Sequence, residues 1–229
     1  MIKEKLIAEN TLKRIGILKD QSFKIFELFR CLSEAGDIII VGGALRNFAF
    51  ENVPRDIDII IDDCSRDELD DKLKEFDYQK NRFGGYKIKV DNIEFDIWSI
   101  YDNWAFKEGI HSSTFSNISK STFFNFDAIA FNISTSELDA DTFVHAFDTN
   151  LLDITLEDDF VPLNPTPEVN VMRAFHIHNE WGLEFSDKVK DYVSEWFLNT
   201  SDPYDKLHEA ELKHYGKVFD KERYKFNWY

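Results

Sequence analysis

No part of the chain restricts its fold more than the stretch from Ile38 to Asp62, IIIVGGALRNFAFENVPRDIDIIID. Asp37 to Val41 is a short, β-branched apolar run and reads as a buried strand. It stops at Gly42-Gly43. Ala44 to Phe50 then reads as a short helix, Pro54 and Arg55 turn the chain, and Asp56 to Asp62 reads as a second strand. A strand, a helix and a second strand in quick succession imply helices packed on a sheet.

The same stretch carries the residues best suited to chemistry. Two glycines at a strand end let the backbone approach a phosphate closely, because no Cβ intervenes. A helix starting at Ala44 aims its first N–H groups at the same place. Arg46 adds a charged fork for a triphosphate. Asp56 and Asp58, two apart on a strand, share one face at about 7 Å spacing. Carboxylates so placed suit a pair of Mg²⁺ ions roughly 4 Å apart. Asp96, in a later strand-like Ile-Glu-Phe-Asp-Ile context, is the natural third ligand, and Glu94 on the same face ranks behind it. Taken singly, Asp-x-Asp reads as a solvated strand face, Gly-Gly as a tight turn and Arg46 as a surface residue. The conjunction at this spacing is what points to metal-assisted phosphoryl chemistry.

The rest of the chain frames that stretch. Lys5 to Leu32 has helical spacing, with Gly16 and Asp20-Gln21-Ser22 as interruptions and Ser22 as an N-cap. Ser65-Arg-Asp-Glu68 is a capping box for a helix running to Phe76. Tyr86 to Val90 and Ile93 to Ile97 alternate around an Asp91-Asn92 turn, the mark of a hairpin. Ser121 to Asn132 is mixed. Pro167 to Trp196 is helical again, divided at Gly182, and the tail from Ser201 has no assigned form. The expected fold class is α+β. A mixed sheet flanked by helices occupies residues 1–160, N-terminal helices included, and a helical neck and tail occupy 161–229.

Composition narrows the function. Among 229 residues, 43 are acidic and 27 basic, a net charge of −16. That balance opposes nonspecific binding of long nucleic acid, yet it is compatible with a small anionic ligand bridged by metal ions. Cys31 and Cys64 lack metal-ligand spacing and read as reduced thiols. Met1 to Asn10 carries Lys and Glu rather than a signal-peptide pattern, and no apolar run approaches the roughly 20 residues of a membrane span. A cytoplasmic protein without membrane partners is the expectation.

At Val41-Gly-Gly-Ala-Leu-Arg46-Asn and Arg55-Asp-Ile-Asp58 the chain resembles the DNA polymerase beta-like nucleotidyltransferase superfamily. Within it the likeness is to the head and neck of bacterial-type CCA-adding enzymes and poly(A) polymerases. Phe124 to Phe131 is similar to that family's segment near the nucleotide, and Asp148 to Asp153 resembles its turn after the head. Val171-Met-Arg173-Ala-Phe and Trp181 to Phe185 are similar to its neck. The likeness spans roughly residues 36–195.

The resemblance implies catalytic and metal roles for Asp56, Asp58 and Asp96. It implies nucleotide contacts at Gly42, Gly43, Arg46, Asp127 and Arg173. It implies two Mg²⁺ ions, with Mn²⁺ as a substitute, and an NTP as substrate. The family's Arg-Arg-Asp is Ser121-Thr122-Phe123 here and its Asn is Asp127, so the identity of the base does not carry over.

The implied reaction moves a nucleoside monophosphate to an acceptor hydroxyl and releases pyrophosphate. The acceptor is an RNA 3′ end, a small molecule or a protein. Two other readings stand beside it: a non-catalytic nucleotide-binding module, and a toxin–antitoxin or defence-type transferase that nucleotidylates a protein. His176 and His178 point apart on a helix and read as ordinary surface or core histidines.

Overall fold

The computed structural model describes residues 4–81 and 84–225. The chain divides into two compact units, Met1–Thr122 with Asp127–Val144, and Phe123–Phe126 with His145–Tyr229.

The first unit opens with α1 (Glu4–Gln21) and α2 (Phe23–Ser33). Gly16 lies inside α1 and does not break it. The break falls at Ser22, whose extended backbone leaves the helix and whose hydroxyl accepts the Ile25 N–H at 3.2 Å. Ile25, Leu28, Phe29 and Leu32 recur at helical spacing on α2 and are all buried.

The strands follow: β1 (Asp37–Val41), α3 (Gly43–Ala49), β2 (Asp56–Asp62), α4 (Arg66–Leu73), β3 (Tyr78–Lys80), β4 (Tyr86–Val90) and β5 (Ile93–Ser99). Short helices α5 (Trp104–Lys107) and α6 (Phe115–Ile118) lead to β6 (Ala130–Asn132), β7 (Glu137–Asp139) and α7 (Asp141–Thr149). The sheet is mixed, in the order β3-β4-β5-β2-β1-β6-β7. Its β2–β5 pair is parallel and its other pairs are antiparallel.

The apolar runs of β1 and β2 form the middle of the sheet. Ile39, Ile40, Ile57 and Ile61 there are completely buried. The β4–β5 hairpin forms because Asp91 and Asn92 both adopt positive φ, the geometry of a two-residue hairpin turn. Ser65 and Glu68 make the expected reciprocal capping box. The helix they start ends at Leu73, short of Phe76, because the chain turns there to feed edge strand β3.

In the second unit a short parallel ladder joins β8 (Leu151–Leu152) to β9 (Glu184–Phe185). Helices α8 (Pro167–Trp181) and α9 (Asp187–Asn199) pack against it, and α10 (Pro203–Tyr215) packs on α8. Pro167 sits in the first turn of α8, and Gly182 ends that helix at φ 76°. The described part of the tail holds α10 and a short turn at Lys221–Tyr224. Its anchor is the buried carboxylate of Glu211, which accepts from the Tyr224 hydroxyl at 2.5 Å and the Phe219 N–H at 3.0 Å.

Candidate active site

The parallel register decides which carboxylates meet. Asp56 stands opposite Glu94, and Asp58 stands opposite Asp96. Residues directly paired across a sheet share a face, so four acidic side chains lie on one side of the β2–β5 pair. Among the described residues, the acidic groups that converge closely enough to hold one ion are Asp56, Glu94 and Asp96, with ligand atoms within 4.8 Å of one another. Asp58 is beside that trio, across from Asp96. Glu94, which the sequence ranks second, therefore stands in the group itself.

Basic side chains attend these carboxylates. Arg55 donates to Asp56, with Nε 3.1 Å from Oδ2. Lys87 of β4 is in register with Asp96, and its Nζ lies 2.5 Å from Oε1 of Glu94 and 3.4 Å from Oδ2 of Asp96. Burial pushes the Asp96 carboxyl above the usual carboxylate range, and the nearby Lys87 charge opposes this only in part. Burial works against the Lys87 ammonium, but Glu94 and Asp96 outweigh it and hold its pKa above the ordinary lysine value. Lys87 belongs to no sequence motif. The signal is nevertheless there, because a two-residue turn pairs Val90 with Ile93 and so carries Lys87 to Asp96.

The glycine turn borders the same strand. Val41, the last residue of β1, pairs with Asp58, so Gly42 and Gly43 follow beside the Asp56 end of β2. Gly42 has φ 63° and ψ −131°, a conformation side-chain-bearing residues rarely adopt. Its N–H donates to the Ile129 carbonyl at 3.0 Å. A Cβ at Gly43 would only touch Nη2 of Arg46 at 3.5 Å, so the fold itself does not demand glycine there.

Arg46 and Asp127 come together from 81 residues apart, with Nη1 2.5 Å from Oδ1. Their side chains are 11% and 6% exposed, which makes this a buried pair. Arg173 lies on α8 in the second unit. Ser121 bonds to the Ile118 carbonyl and accepts from Asn103, so it is a packing residue. His178 contacts the Leu183 carbonyl at 2.7 Å, and His176 stacks on Tyr215 with ring centroids 5.0 Å apart. The two imidazoles serve separate local contacts.

An open cavity of about 390 Å³ lies elsewhere in the first unit, lined by Arg66, Lys80, Asp102, Trp104 and Lys107 among others. It touches none of the four carboxylates. Its cations are engaged already: Arg66 and Lys107 bind Asp102, and Lys80 binds Asp70.

No family model and no curated protein sequence matches this chain. Solved structures do match. A CCA-adding enzyme complexed with ATP superposes with TM-score 0.60 at 18% identity, covering 84% of this chain and 48% of that one. The Thermotoga maritima CCA-adding enzyme complexed with tRNA gives 0.60 at 18%, covering 86% and 48%. A tRNA nucleotidyltransferase complexed with a primer tRNA and an incoming ATP analog gives 0.56 at 16%, covering 76% and 51%. The chain thus has the fold of nucleotidyltransferase structures and spans about half their length.

Proposed function

We propose that this chain is a metal-dependent nucleotidyltransferase, which moves a nucleoside monophosphate from an NTP to an acceptor hydroxyl. The observation that carries the reading is the meeting of Asp56, Glu94 and Asp96 from two parallel strands, with Asp58 alongside and the Gly42-Gly43 turn next to them.

The donor set fits a hard divalent cation, since all its groups are carboxylate oxygens. Asp56, Glu94 and Asp96 would hold it, with Asp58 adjacent. Bound there, Mg²⁺ or Mn²⁺ supplies charge neutralisation at the phosphates. The protein's own residues do the positioning. Gly42 and Gly43 admit the triphosphate against the backbone, and Arg46 offers it a guanidinium held in place by Asp127. Asp96 takes the proton of the acceptor hydroxyl. The freed oxygen attacks the α-phosphorus, the bond to the β-phosphate breaks, and pyrophosphate leaves.

The acceptor proposed first is an RNA 3′ end. The solved relatives in complex with tRNA support this choice. No helix among the described residues is long and apolar enough to cross a membrane.

The test is incubation with Mg²⁺ and each labelled NTP in turn, with and without total RNA. Label on RNA together with pyrophosphate supports the proposal. Label on protein points to the protein-modifying reading instead. NTP binding with no label transferred to any acceptor contradicts catalysis and leaves a binding module.

A further inference from the structure

Lys87 is a cation in contact with two members of the carboxylate group. It comes from β4, a different strand from any of the acids, and its ammonium bridges Glu94 and Asp96. Those two are among the three groups whose oxygens converge. A divalent ion drawn to that trio meets a fixed positive charge within contact distance of two of its ligands.

The geometry points to Lys87 as a built-in competitor for the divalent cation, which weakens the hold of the nucleotide-free protein on that ion. This rests on the carboxylate trio being the cation site of the proposed transferase. Removing the ammonium deletes a repulsion toward the ion and frees oxygens of Glu94 and Asp96 to bind it. Both effects tighten binding. Lys87 is partly exposed, so solvent screening moderates the gain. The expected change is roughly tenfold or more in affinity.

The experiment is a Mn²⁺ titration without nucleotide, read by electron paramagnetic resonance of free Mn²⁺. It uses the full chain as wild type, Lys87→Met, Lys87→Gln, Lys87→Arg and Asp96→Asn, each checked for folding by circular dichroism. The wild type should bind Mn²⁺ weakly, and Lys87→Met and Lys87→Gln roughly tenfold or more tightly. Lys87→Arg should stay near wild type, and Asp96→Asn should lose the ion. Should the neutral variants bind no more tightly while Asp96→Asn still loses the ion, Lys87 merely braces the strands. The competitor role is then wrong and the cation site stands. Absence of Mn²⁺ binding in every variant, or binding indifferent to Asp96→Asn, removes the cation site and this inference with it.

Discussion

Asp58 and Asp96 are register partners across the parallel β2–β5 pair, although 38 positions separate them in sequence. That pairing, and the Asp56–Glu94 pairing beside it, turns two ordinary Asp-x-Asp and Glu-x-Asp patterns into one acidic face. Glu94 belongs to the converging trio, so Glu94→Gln should weaken Mn²⁺ binding at least about tenfold with the fold intact. Calorimetric titration checks this. Unchanged affinity would mean that Glu94 serves only Lys87.

The Arg46–Asp127 pair has a structural consequence of its own. Asp127→Ala leaves a guanidinium in a site where its side chain is 11% exposed. Breaking a buried pair by removing one partner typically costs about 3–5 kcal/mol. Urea unfolding should therefore show a loss of about that size. The double variant Arg46→Met with Asp127→Leu should recover most of it, because neither charge of the pair is then left without the other.

Gly42 and Gly43 should behave differently although they are neighbours. Gly42→Ala forces a Cβ onto a backbone at φ 63° and should cost about 1–3 kcal/mol through strain alone, since no atom crowds the position. Gly43→Ala meets only an ordinary contact with Arg46. Its stability should be unchanged or raised by up to about 1 kcal/mol. Its affinity for a fluorescent NTP should nevertheless fall, because the added methyl stands where the triphosphate approaches. Thermal melts and nucleotide titrations separate the two effects. Full NTP affinity in Gly43→Ala would place the phosphates elsewhere.

The acid limb of stability should depend on Asp102. Burial raises its carboxyl, but Arg66 and Lys107 outweigh burial and bring its pKa below the usual carboxylate value. A depressed carboxylate contributes stability that is fully present above the unfolded value, about 3.9, and lost as pH falls through the folded one. Asp102→Asn should therefore melt below wild type at neutral pH. The gap should narrow as pH drops below about 4. Melting curves across pH check this, and a gap that stays constant contradicts it.

Much of the site was legible because it depends on short-range pattern. The β-branched run before Gly42-Gly43 gives β1, and the Asp91-Asn92 turn fixes the hairpin register. From these alone Asp96 falls on the β5 strand beside Lys87. What stayed illegible depends on long-range pairing. That Glu94 joins the trio follows from the parallel register of β2 with β5, which no local pattern encodes. That Asp127 holds Arg46 follows from β6 pairing with β1. Gly16 looked like a break but sits in α1, because a single glycine is tolerated where flanking turns pack. The tail helix α10 hid behind a polar composition, and its organising group, Glu211, is a charged residue that burial normally excludes.

Phosphoryl transfer at these carboxylates is tested by pyrophosphate release from each NTP, with Mg²⁺ and total RNA, by the wild type and by folded Asp58→Asn and Asp96→Asn. The wild type should release pyrophosphate, and both variants should release it about 10²-fold or more slowly. Release at the wild-type rate by either variant would mean that the acidic face does not serve the reaction.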